Sequence, residues 1–164
     1  MSGRWIKLIV CAVIAVVVVV ALGLGAVFIQ YKRIESKNPP VEFVKASLMT
    51  LVDGEEKSAD KVRLGGSLDI CYQVRCPWNK KPVGVDIEPG EGSQVAGDAR
   101  FILAKTGWGY NTWSVLAPIQ PFALGEIPAG EAVINFSPGP KGEVETLDVT
   151  VPAFTSEMIP NASK

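Results

Sequence analysis

Three kinds of side chain in this sequence could do chemistry: two thiols, a group of loop aromatics and a scatter of carboxylates. Cys71 and Cys76 are the cysteines outside a long apolar run near the N-terminus. An oxidising compartment could join them, but residues five apart in one extended strand sit about 16 Å apart and point to opposite faces. A disulfide therefore requires the chain to bend before Cys76, which Pro77 permits; otherwise the two are unbridged thiols. With Met49 they would make a soft donor set suited to Cu(I). The chain has neither a CxC nor a CxxC motif and no histidine, so the cysteines read as structural, and no metal or cofactor is expected.

The segment TGWGYNTW (106–113) concentrates aromatics in a glycine-punctuated loop, and Trp78 lies in another loop, CPWNKKP. Such rings bury much area for few rotatable bonds and recur at binding hot spots. Trp78, Trp108, Tyr110 and Asn111 are therefore the candidate binding residues. Trp113 reads differently: it opens an inward-facing strand with Val115 and Ala117. The carboxylates Glu55, Glu56, Asp86, Glu88 and Glu91 fall in or near turn-like segments, where solvation explains them. The absence of histidine removes the commonest general base, and with it the usual partner of a serine nucleophile. These features predict a non-catalytic protein.

The elements that must position these groups begin with a membrane segment. Leu8 to Ile29 holds no charged or strongly polar side chain; as a helix it spans about 33 Å against a hydrocarbon core of about 30 Å. Trp5 and Tyr31 bracket it, and Lys7, Lys32 and Arg33 can reach the headgroups. A cleaved signal peptide would have a shorter apolar stretch and a small-residue cleavage site, whereas this run ends in Phe28-Ile29-Gln30-Tyr31. The expectation is a retained single-pass anchor, N-terminus cytoplasmic and C-terminal domain extracytoplasmic (periplasmic or extracellular). Ala21 and Gly25 share a helical face and could pack a second helix closely, although small residues are ordinary in such segments.

After a tail at 1–7 and the helix at 8–29, residues 30–40 read as an extended spacer ending in Pro39-Pro40. Residues 41–155 read as one β-domain and 156–164 as a tail. Leu68, Ile70, Tyr72 and Val74 alternate with Asp69, Cys71, Gln73 and Arg75. Val83, Val85 and Ile87 repeat the pattern, as do Ala132, Ile134 and Phe136, and Leu147, Val149 and Val151. With 42–52, 61–64, 99–105 and 112–117 this makes about eight short strands divided by Gly and Pro turns.

The predicted fold class is mainly β, an immunoglobulin-like or fibronectin-type sandwich, with a small barrel or jelly roll as the alternative. GGSLDICYQV resembles a mid-sheet strand of such a sandwich, and EIPAGEAVINF leading into ETLDVTVPAF resembles its closing hairpin; the immunoglobulin Cys…Trp…Cys spacing is absent. From residue 38 onward, 11 Lys and Arg face 16 Asp and Glu, a net charge of −5. That sign opposes nucleic-acid binding. The leading expectation is an anchored accessory, assembly or interaction subunit of a membrane or cell-envelope complex. The alternatives are a carbohydrate or peptidoglycan module using Trp78, Trp108 and Tyr110, and a thiol-based copper-handling factor.

Overall fold

The computed structural model describes residues 3–52, 55–58, 68–123, 128–138 and 142–153. The first element, α1, runs Gly3–Lys37. It is long and apolar enough to span a membrane: its mean hydropathy reaches 3.2, and none of that stretch is covered by protein. Nothing lies within 4 Å of the space beside Gly25, so the face it shares with Ala21 stands open.

The helix does not end where the apolar run ends, which corrects the expected spacer at 30–40. It continues to Lys37 because its last turns have tertiary and local support: Ile34 is buried against the β-domain, and Lys32 Nζ donates to Glu35 Oε2 at 2.7 Å one turn on. Asn38 then stops it, adopting φ 43° and donating its N–H to Ile34 O at 2.8 Å. This is a left-handed helix cap, a conformation asparagine tolerates better than most residues. Pro39 and Pro40 prevent any further turn.

Among the described residues nine strands follow: β1 Glu42–Val52, β2 Glu55–Ser58, β3 Leu68–Pro77, β4 Pro82–Glu88, β5 Ser93–Val95, β6 Arg100–Thr106, β7 Tyr110–Pro121, β8 Glu131–Phe136 and β9 Glu145–Thr150. They form two antiparallel sheets, with β2-β1-β3-β7-β5 in one, where β6 also pairs β7, and β4-β8-β9 in the other. The alternation read in 68–74 places Leu68, Ile70, Tyr72 and Val74 in the core, joined by Cys76, by Val115, Ala117 and Ile119 of β7, and by Ala132, Ile134 and Phe136 of β8. One core thus serves both sheets. The segment 61–64, expected as a strand, lies outside the described residues.

One apolar position departs from the alternation. Val83 is skipped in the β4–β8 register between Pro82 and Gly84 and is about half exposed, so buried Pro82 takes its place on the inner face. A bulge inserts one residue without a partner and turns it away from the ladder. At the far end of β4, Gly130 passes so close to Glu88 that a Cβ there would overlap the Glu88 carbonyl oxygen.

Candidate functional site

The residues with chemical or recognition potential converge at one end of the domain, where α1 enters it. Two further bulges lie there, one between Phe43 and Lys45 in β1 and one between Leu103 and Lys105 in β6. Bulges bend the strands that carry them. Here they flank the outer face of the larger sheet and leave a groove of about 870 Å³ over β3 and β7. Phe43 and Val44 form one rim, Ala104 and Lys105 the other, and Gln73, Arg75 and Tyr110 are among the residues between them. Phe43 and Val44 are 47% and 51% exposed, although both are apolar.

The floor is organised by Arg75. Its guanidinium carbon lies 4.3 Å from the centre of the Tyr110 ring, and Nη1 donates to Glu42 Oε2 at 3.3 Å. The first contact is a cation–π interaction and the second an exposed ion pair. Together they hold one face of Tyr110 under a cation.

Trp78 and Trp108 meet edge to face, with centroids 5.4 Å apart and planes at 75°. Trp78 Nε1 donates to Gly107 O at 2.9 Å, and its backbone N–H donates to Gly109 O at 3.2 Å. The β6–β7 hairpin tip at 107–109 is therefore held by Trp78. Trp108 itself is 61% exposed. Gly109 adopts φ 84°, and a Cβ there would sit 2.9 Å from Gln30 Nε2 and 3.3 Å from Ile34 Cδ1. Only glycine lets the hairpin tip lie this close to α1 in this conformation.

The four candidate binding residues thus divide. Trp78, Trp108 and Tyr110 share the groove end of the domain. Asn111 is half-buried and pairs in register with Cys76, a core residue, so alternation turns it to the inner side of the sheet. Its Oδ1 is buried without a hydrogen-bond partner among the described residues. Trp113 packs against the core, as expected from its place beside Val115.

Cys71 and Cys76 lie in the single unbroken strand β3 and are not bridged to each other, which corrects the candidate disulfide. The bend that a bridge required is absent, and their odd spacing places Cys76 in the core and Cys71 on the opposite face, in register with Ser47 and Leu116. Met49 shares the face of Cys71, so the three sulfur atoms do not converge. No cluster of His, Cys, Asp and Glu that could hold a metal occurs among the described residues. Burial pushes the Cys76 thiol up to about 12, with the Glu145 carboxylate adding to the shift and the Lys80 ammonium opposing it.

Sequence reasoning missed a polar clamp at the turn after α1. Lys80, in the turn after β3, is almost wholly buried; its Nζ donates to Glu145 Oε2 and to Pro39 O, the latter at 2.9 Å. Glu145 Oε1 accepts from Val41 N at 2.9 Å. One ion pair therefore ties the turn after helix α1 to β9. A lysine in a turn and a glutamate at a strand start carry no local mark of pairing across 65 positions.

Comparison with protein families, with curated proteins and with solved structures finds no match to this chain. The features its own geometry defines are an apolar helix running without a break into a two-sheet β-domain, and a bulge-formed groove at the junction.

Proposed function

We propose that this chain is a membrane-anchored, non-catalytic interaction module, an accessory or assembly subunit of a membrane or cell-envelope complex. In this reading α1 crosses the bilayer once with its N-terminus cytoplasmic, and the β-domain is an immunoglobulin-like sandwich on the extracytoplasmic side. The strand order supports that fold: β1-β3-β7-β6 opposite β4-β8-β9 follows the ABED and CFG order of constant-type immunoglobulin domains. Retention of the helix is supported by its continuity, because α1 runs unbroken from Gly3 through the apolar run to Ile34, which is buried against the domain.

The observation that carries the functional reading is the groove. A concave surface with exposed Phe43 and Val44 on one rim and Arg75 in its floor pairs apolar area with a fixed charge, the composition of a protein-binding patch. Its place beside the end of α1 suits the segment of another membrane protein just outside the bilayer.

Extraction of the full chain at native expression in mild detergent tests this. A defined membrane protein should co-purify, and Val44→Asp, a change at an exposed bulge position, should release it while the circular dichroism of the β-domain stays unchanged. A solely monomeric wild-type species would overturn the reading.

A further inference from the structure

The Gly107–Gly109 tip is positioned to meet more than protein. The chain leaves α1 at Asn38, yet the tip contacts the helix at Gln30 and Ile34. At about 1.5 Å per residue, those contacts lie about 6 to 12 Å back along the axis toward the apolar run. The last residue of that run is Ile29, immediately before Gln30. The β6–β7 hairpin therefore reaches down beside the last turns of the helix, at residues one to five positions past the end of the apolar run. The interfacial layer on each side of a bilayer is about 5 to 8 Å deep, so the tip falls within it if the helix spans.

The chemistry at that level is matched to lipid headgroups. Trp108 is 61% exposed at the tip, and Tyr31, 39% exposed, lies on the helix between the tip's contacts Gln30 and Ile34. Trp and Tyr are enriched in this layer, where an apolar ring and a polar edge are both satisfied. Lys32 and Arg33 follow Tyr31 on the helix, and Lys105 precedes the tip, supplying cations for phosphate groups. Trp78 holds the tip in place through its bond to Gly107 O before any lipid is met.

We propose that the 107–109 tip is a second membrane contact: Trp108 beds in the headgroup layer of the leaflet that α1 leaves, beside Tyr31, and fixes the tilt of the β-domain on the bilayer. This goes beyond the partner reading and does not depend on it, since the groove rim at Phe43 and Val44 plays no part. It does depend on α1 spanning the membrane.

The test uses the full chain in vesicles of phosphatidylcholine and phosphatidylglycerol whose acyl chains carry bromine either near the headgroup or near the methyl end. Subtracting the emission of Trp108→Ser from that of the wild type isolates Trp108 from Trp5, Trp78 and Trp113. Trp108 emission should be blue-shifted relative to a water-exposed indole, strongly quenched by shallow bromine and weakly by deep bromine or aqueous iodide. Quenching by iodide with none by either bromolipid would overturn the proposal, as would protection seen only in native membranes, which would assign the tip to a protein. Should Trp108→Ser misfold, Trp108→Phe removes the same signal while keeping the ring. Loss of the partner through Val44→Asp with bromolipid quenching intact separates this inference from the functional reading.

Discussion

The centre of the β-domain and its junction with α1 are held by different forces. In the centre, β3 and β7 pair along ten consecutive positions and turn Ile70, Tyr72, Val74, Val115, Ala117 and Ile119 into a core with no measurable solvent exposure. At the junction the contacts are a buried ion pair, an edge-to-face pair of indoles, a cation over a phenol ring and a glycine pressed against a helix. Apolar burial is non-directional and supplies most of the folding free energy. Polar and aromatic contacts add less net energy but demand one geometry. The centre therefore accounts for whether the domain folds, and the junction for how it stands on its helix.

Truncating the core should have the largest effect. Phe136, fully buried on β8, spans the space between the sheets, and Phe136→Ala should cost about 3 to 5 kcal/mol, read by chemical denaturation in detergent. A loss near zero would show that the sheets are not held by their shared core.

Breaking the junction comes next. Glu145→Ala strands the buried Lys80 ammonium with Pro39 O as its remaining partner among the described contacts. Because Glu145 is about a quarter exposed, the loss should fall near the lower end for a broken buried pair, about 3 kcal/mol. The double change Lys80→Met with Glu145→Leu should recover most of it, since the charge and its partner leave together. If it does not, the pair contributes net stability and the contrast between the two regions weakens.

The last effect is absent at neutral pH and concerns the alkaline range, at the point where both regions meet. Cys76 belongs to the core yet feels the Lys80 and Glu145 charges, and its thiol is raised to about 12 in the folded chain. In the unfolded chain a thiol ionises near 8.5. A raised folded value means the contribution is fully present below that pH and is lost as pH climbs toward 12. Stability should fall over that alkaline window, and Cys76→Ala should flatten the slope there without affecting neutral pH dependence. Equal slopes for both proteins would show that another group titrates.

How much of this was legible before folding differs from residue to residue. The inward set of β3 follows from a period of two, which is a local property of an extended chain. The exposure of Val83 does not, because a bulge depends on the register with β8 and leaves no trace in the alternation. The aromatic loops were legible as candidates, and Trp78, Trp108 and Tyr110 share one end of the domain. The direction of Asn111 was not legible, because pairing with Cys76 settles it. Phe43, Val44 and Arg75 carried no signal: consecutive strand residues point to opposite faces, so alternation turns only one of Phe43 and Val44 toward a core, and the exposure of both belongs to the bulge between Phe43 and Lys45.

By itself the order of residues determined that an apolar helix long enough to cross a bilayer precedes strands with one apolar face each, because helix length and strand alternation are set by neighbours along the chain. Only the tertiary structure decided that α1 continues to Lys37, that Cys71 and Cys76 face apart, and that Lys80 finds Glu145 to close the junction. Those outcomes depend on groups distant in sequence, or on the strand staying straight, meeting at separations of a few ångströms. Burial and charge then choose among conformations that the local chain leaves nearly equal in energy.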